Sequence, residues 1–88
     1  MIKLFRLFKR KSGHEYWIRL SDIVITEDFL SHKPNKYKLL QKYDWFAKNG
    51  ELQSPIILNK NYELIDGYTS YIIAKDFDLG KVPVYFAD

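Results

Sequence analysis

The residues of this sequence that are best suited to chemistry lie where an apolar run is followed by a helical pattern. The apolar run ends at Asp66-Gly67, and the helical pattern that follows carries hydroxyl groups on Thr69 and Ser70. Glycine permits a sharp turn, and the first N–H groups of a helix lack intrahelical acceptors and favour negative charge. The sequence therefore predicts a phosphate or nucleotide site at this corner. Its predicted members are Asp66, Gly67, Tyr68, Thr69 and Ser70.

The same residues also fit a purely structural role. Asp66 or Thr69 would then cap the helix, and Gly67 would only turn the chain. Because a single glycine is a weak signal, both interpretations stay open on the residues alone.

Positive charge is concentrated in the first half of the chain. Residues 1–42 contain ten Lys and Arg against four acidic residues, a net +6, whereas residues 43–88 sum to −3. This asymmetry favours an anionic partner, although an ordinary solvated surface would also account for it. Only three of the fourteen basic residues are Arg, which argues against bidentate reading of bases.

A second candidate surface lies on the longest predicted helix, which begins at Pro34 or Asn35 and ends at Asn49-Gly50. On a helical wheel, the predicted core face consists of Leu39, Leu40, Tyr43, Phe46 and Ala47. The opposite face consists of Lys38, Gln41, Lys42 and Trp45. An aromatic ring among lysines can stack on single-stranded nucleic acid, but a partner chain or the N-terminal segment could equally cover it. The predicted nucleic-acid or partner surface comprises Lys36, Lys38, Lys42 and Trp45.

The remaining patterns predict short strands around two main helices. Residues 2–8 and 16–20 suit a hairpin, with a basic amphipathic helix as the alternative for the first of them, and residues 22–25 also favour strand. Residues 55–58 and 62–65 predict a second hairpin, followed by a helix from about residue 68 to 77. The last strand covers residues 82–86, and Pro83 favours an edge position for it.

Length and composition predict one small α+β (α/β) domain with a mixed sheet of short strands. The 88 residues include no cysteine, which excludes disulfides, thiolate metal sites and cysteine nucleophiles. The two histidines have no metal-ligand spacing, so we predict no metal. We also predict no cofactor and assign no catalytic residue. No apolar run approaches the roughly 20 residues of a membrane span, so we expect a cytoplasmic protein without a membrane partner. Residues 1–13 are predicted to form a basic strand or arm, and residues 14–88 the domain.

Taken together, several stretches resemble the ParB N-terminal/sulfiredoxin superfamily. The matching stretches are residues 18–23, 49–52, 55–58, 64–71 and 81–84. The resemblance implies the fold of that superfamily, in which a strand ends in glycine and the next helix start carries the functional residues. ParB-like members have arginines there and bind a nucleotide, often CTP, whereas sulfiredoxins have Cys, His and Arg and handle ATP phosphates.

This sequence keeps the glycine of that pattern as Gly67 and departs from it afterwards. Tyr68 stands where relatives have Glu or Cys, Thr69 where they have Arg or His, and Ser70 where they have Arg. Ile72 replaces a further basic residue of the ParB type. The resemblance therefore implies a phosphate-facing corner without the usual cationic and nucleophilic groups, and sulfiredoxin chemistry is excluded.

We predict a non-catalytic ParB-like module that binds a nucleotide, a phosphate or nucleic acid. No helix-turn-helix domain follows before Asp88, so we expect DNA binding to be weak, sequence-blind and salt-dependent. The alternative is a protein–protein interaction or assembly protein, including a homodimer. A nuclease or NTP hydrolase ranks third, because the family's charged residues are missing.

Overall fold

The computed structural model of this protein describes residues 15–87, which form a four-stranded mixed sheet with helices. The strands are β1 (Tyr16–Arg19), β2 (Ile56–Leu58), β3 (Leu64–Asp66) and β4 (Lys81–Phe86), in the order β1-β4-β2-β3. Strand β4 runs antiparallel to β1 and parallel to β2, and β2 and β3 form an antiparallel hairpin.

Three α-helices and one 3₁₀ turn complete the described part. The helices are α1 (Glu27–Ser31), α2 (Lys36–Asn49) and α3 (Tyr68–Asp76), and the 3₁₀ turn covers Leu20–Asp22. The predicted α+β class, with short strands and two main helices, is confirmed. Within residues 15–87, no helix has both the length and the apolar character needed to cross a membrane. The predicted N-terminal arm (residues 1–13) and the strand at residues 2–8 lie outside the described residues.

The core lies between the sheet and helix α3. Val82 and Val84 of β4 face the same side as Ile56 and Leu58 of β2, and all four side chains are fully buried. Ile73 and Ala74 of α3 pack into this core and are 2% and 0% exposed. Successive side chains of a strand point to opposite faces, and this alternation along β4 determines which of its residues face α3.

Local capping signals define both ends of α2. The Asn35 side-chain oxygen accepts hydrogen bonds from the N–H groups of Tyr37 and Lys38, at 2.9 and 3.1 Å. At the other end Gly50 has φ 71° and donates its N–H to the Phe46 carbonyl at 2.8 Å. The predicted bounds of this helix are confirmed, because each is set by a residue within one turn.

The predicted core face of α2 is wrong at two positions. Leu40 is 56% exposed and Ala47 is also exposed, whereas Leu39, Tyr43 and Phe46 do pack against the core. The buried face is rotated toward Lys42 and Trp45, which are both half-buried rather than open to solvent. A helical wheel ranks faces by apolar content, whereas the packing of α2 against neighbouring elements decides which face is covered.

Residues 22–25 do not form the predicted strand. The chain instead makes the 3₁₀ turn, and Val24 forms a single parallel bridge with Glu63. Helix α1 follows at once and was not predicted. The sequence signal for the start of α1 is Thr26 followed by two acidic residues, Glu27 and Asp28, in the first helical turn.

Strand β4 is central, so the predicted edge position was wrong. Pro83 pairs with Trp17 of β1, but pairing with β2 begins only at Val84, opposite Ile56. At Pro83 the strand therefore has a paired neighbour on one side only, which is an environment that proline tolerates.

Candidate phosphate-binding corner

The predicted strand–glycine–helix corner is present. Strand β3 ends at Asp66, Gly67 adopts φ 91° and ψ 28°, and α3 begins at Tyr68. In the first backbone hydrogen bond of the helix, the Tyr71 N–H donates to the Gly67 carbonyl oxygen at 3.0 Å. Within residues 15–87 no side chain caps this helix, so neither Asp66 nor Thr69 has the capping role that the structural interpretation gave them.

Gly67 packs tightly against the chain that leads into β2. A Cβ atom at this position would lie 2.4 Å from the Pro55 carbonyl oxygen and 2.9 Å from the Ile56 Cα. The glycine is therefore required by close backbone approach within the protein as well as by its positive φ. On the side facing Pro55 there is no room for a ligand.

Asp66 places a carboxylate at the corner. Its Oδ1 accepts a hydrogen bond from the Gly67 N–H at 2.8 Å, and the residue is exposed. This bond stabilises the turn into α3. It also leaves a negative charge beside the N-terminus of the helix, where it opposes a bound anion.

Of the two predicted hydroxyl groups, that of Ser70 is used inside the protein. Ser70 is 1% exposed, and its Oγ donates to the Ser54 carbonyl oxygen at 2.7 Å. Thr69 is half-buried, and no other residue in the described range accepts from or donates to its hydroxyl. Tyr68 packs against Phe29, with ring centroids 5.2 Å apart, so its side chain anchors α1 to the corner.

The tertiary structure brings a cation close to the corner from α2. Lys42 Nζ donates to Ser54 Oγ at 2.7 Å and lies 3.5 Å from Gln53 Oε1. Ser54 thus bonds Lys42 through its side chain and Ser70 through its carbonyl. Sequence reasoning assigned Lys42 to a separate surface, and nothing in the local sequence indicates that it reaches Ser54.

The other predicted surface residues fall into two environments. Lys36 and Lys38 are exposed in the first turn of α2, whereas Trp45 is half-buried, and its buried Nε1 has no hydrogen-bond acceptor among residues 15–87. Tyr37 is 79% exposed, more than any other large apolar or aromatic side chain in residues 15–87. The open aromatic ring beside the lysines is therefore that of Tyr37, which sequence reasoning did not single out.

Comparison with known proteins gives a likeness of fold. No family model and no curated protein matches this sequence. Two solved structures of the pNOB8-like ParB N-domain do match, each over 86% of this chain. One has 22% sequence identity and a TM-score of 0.73, and the other 23% and 0.64. The fold is ParB-like. The resemblance found in the sequence is confirmed at that level, and the chain spans 30% and 28% of the lengths of those two chains.

The structure also has a shallow pocket at the end of α3 that lies away from Gly67. The pocket encloses about 330 Å³ between the 3₁₀ turn, the second half of α3 and the turn before β4. It is lined by Leu20, Ser21, Tyr71, Lys75, Asp78, Leu79 and Gly80. None of the residues predicted for the corner or the basic surface belongs to it. Across residues 15–87, no group of three His, Asp or Glu side chains is placed to hold a metal ion.

Proposed function

We propose that this chain is a non-catalytic ParB-like module that binds a phosphate-bearing ligand, a nucleotide or a nucleic acid, at the Gly67 corner. The observation that carries the proposal is the start of α3, where Gly67 turns the chain and no side chain of the described residues caps the helix. Uncapped N–H groups and the helix dipole together favour an anion at this point. The ParB-like fold supports the same location.

Lys42 supplies part of the positive charge that the corner residues lack. Its ammonium group already contacts Ser54, the residue to which the corner is bonded through Ser70. A lysine on a flexible stem can exchange a serine hydroxyl for a phosphate oxygen, and a charge-assisted hydrogen bond contributes about 1.5–3 kcal/mol. Thr69 adds a hydroxyl donor on the helix itself.

Asp66 limits the affinity and argues against catalysis. A carboxylate beside the helix start repels a phosphate, so we expect weak binding that salt weakens further. The side chains of Asp66 and Ser70 are both engaged in bonds that hold the corner together. That leaves the side chains of Thr69 and Lys42, together with the first N–H groups of α3, to contact a ligand, which is a set suited to binding rather than to proton transfer.

A titration followed by heteronuclear NMR tests this function. Inorganic phosphate, CTP, ATP and a short single strand are added in turn to the 88-residue protein, and amide shifts are mapped along the chain. Shifts concentrated at residues 66–71 support the proposal and identify which ligand is preferred. Shifts that avoid these residues for every ligand, or no shifts up to millimolar concentration, contradict it.

A protein–protein interaction or assembly role is the second candidate. It is favoured by large apolar side chains left open on the helices, Leu30 at 61% and Leu40 at 56% exposure. Light scattering on a size-exclusion column decides this point, with Trp45→Ala and Leu40→Ala as variants. A dimer that either variant dissociates supports assembly, and a monomer at all concentrations argues against a homodimer.

Hydrolysis of nucleotides or nucleic acid is tested separately. The protein is incubated with NTPs and with plasmid, with and without Mg²⁺. Turnover that disappears in Asp66→Asn would overturn the non-catalytic assignment.

A further inference from the structure

The beginning of α2 carries an open aromatic ring on Tyr37, which has a lysine before it and a lysine after it in the sequence. Tyr37 is 79% exposed, and its neighbours Lys36 and Lys38 are exposed on either side. Lys33, also exposed, precedes them in the connector from α1. We call Lys33, Lys36, Tyr37 and Lys38 the Tyr37 surface. It lies on a different helix from the Gly67 corner.

The positive charges of the Tyr37 surface are not neutralised by the described part of the protein. The ion pairs found there are Arg19–Asp22 and Lys48–Asp44, and none involves Lys33, Lys36 or Lys38. The first turn of α2 contains no acidic residue. Lysines at a helix start are repelled by the helix dipole, so this arrangement is unfavourable in the free protein and is relieved by a bound anion.

The side chains, and not the backbone N–H groups, are what this surface offers to a ligand. Asn35 already accepts hydrogen bonds from the N–H groups of Tyr37 and Lys38. This cap also fixes the backbone from which the tyrosine ring projects. The ring is therefore held on a regular helix and stands open to solvent.

We propose that the Tyr37 surface binds single-stranded nucleic acid, with a base stacked on the Tyr37 ring and the flanking phosphates held by Lys33, Lys36 and Lys38. A single strand alternates flat bases with negative charges, which matches a ring flanked by ammonium groups. A duplex keeps its base faces covered, and an acidic protein segment offers charge without a flat partner for the ring. Lysine binds phosphate as a point charge without reading bases, so binding is tolerant of sequence.

Fluorescence anisotropy with a labelled oligothymidylate of about 12 nucleotides tests this surface, because single-strand sites commonly cover about 4–16 nucleotides. The expected result is binding at low salt that Tyr37→Ala weakens by about tenfold or more through loss of stacking. Tyr37→Phe keeps the ring and is expected to bind almost as well as the parent protein. Val24→Ala, an exposed apolar truncation outside α2, is the control and leaves binding unchanged.

The salt dependence tests the lysines. The slope of log K against log salt for a single strand changes by about 0.7 for each phosphate contact. Lys36→Gln and Lys38→Gln should each reduce the slope by about that amount. Lys48→Gln, on the same helix but exposed beside Asp44, should leave the slope as it is.

Three results would overturn the proposal. The first is no binding of the oligonucleotide at low salt. The second is binding that Tyr37→Ala does not weaken and that polyglutamate competes away as well as DNA does, which would indicate an acidic protein partner. The third is an affinity that Lys42→Met and Asp66→Asn change but Tyr37→Ala does not. It would place the oligonucleotide at the Gly67 corner and leave the proposed function intact.

Discussion

Ser70 donates its hydroxyl hydrogen to the carbonyl oxygen of Ser54 at 2.7 Å, which joins the first turn of α3 to the chain entering β2. Lys42 Nζ donates a hydrogen bond to the side-chain Oγ of Ser54, also at 2.7 Å. Helix α2, helix α3 and the entry to β2 therefore meet at Ser54. The stability of this junction and the charge around it can be tested separately.

Removing the Ser70 hydroxyl should destabilise the domain. Ser70→Ala leaves the Ser54 carbonyl, in a part-buried place, without the Ser70 donor, and we expect the free energy of unfolding to fall by about 1–2 kcal/mol. Urea denaturation followed by circular dichroism measures this. Ser31→Ala is the control, because the exposed Ser31 hydroxyl bonds a carbonyl of its own helix and its loss should change stability by less than about 0.5 kcal/mol. Equal effects in the two variants would contradict the importance of the Ser54–Ser70 contact.

Three glycine-to-alanine variants should rank in a defined order. Gly67→Ala combines a positive φ with a clash against Pro55, and we expect a loss of about 2 kcal/mol or more. Gly50→Ala has the positive φ but open space, so a loss of about 1 kcal/mol is expected. Gly80→Ala has neither and should lie within about 0.5 kcal/mol of the parent protein. Thermal or urea unfolding of the three proteins checks the order, and a Gly67 variant as stable as the Gly50 variant would show that the contact with Pro55 yields easily.

Neutralising Asp66 should strengthen phosphate binding. Asp66→Asn can keep the hydrogen bond from the Gly67 N–H while removing a negative charge from the corner. A unit charge near 4 Å in water is worth about 1 kcal/mol, so the dissociation constant for inorganic phosphate should fall about fivefold. Titration by NMR measures the change. An unchanged or weaker affinity would mean that phosphate does not bind beside Asp66.

Removing the Lys42 charge should act in the opposite direction. Lys42→Met keeps most of the half-buried stem and deletes the ammonium group that contacts Ser54. Because a charge-assisted hydrogen bond contributes about 1.5–3 kcal/mol, phosphate affinity at the corner should fall about tenfold or more. Lys75→Met, at the far end of α3 and exposed, serves as the control and should bind phosphate as the parent does. A similar loss in both variants would indicate a general effect of net charge.

Burial, and not apolar character alone, predicts which leucines matter for stability. Leu58 is fully buried in β2, so Leu58→Ala should lower the free energy of unfolding by about 2–5 kcal/mol. Leu40 was assigned to the core by the helical wheel but is 56% exposed, so Leu40→Ala should change it by less than about 0.5 kcal/mol. Chemical denaturation of both variants makes the comparison. A large effect of Leu40→Ala on the monomer would restore the original core face.

Much of the fold follows from short-range signals that the sequence carries openly. Asn35 and Gly50 bound α2 because a cap acts on N–H or carbonyl groups within one turn. The passage from β3 through Gly67 into α3 is likewise decided by consecutive residues. The ParB-like fold was predictable because several such local signals occur in the family's order.

Only the tertiary structure decided which residues from different elements meet. The contact of Lys42 with Ser54, the clash that keeps residue 67 a glycine and the central place of β4 all depend on distant parts of the chain. Periodicity identifies an amphipathic helix, but the neighbours of α2 determined that Lys42 turns inward and Leu40 stays exposed. The amino-acid order alone therefore determined the secondary structure at the corner, whereas three-dimensional packing decided which charges surround it, because electrostatic and van der Waals contacts depend on distance in space.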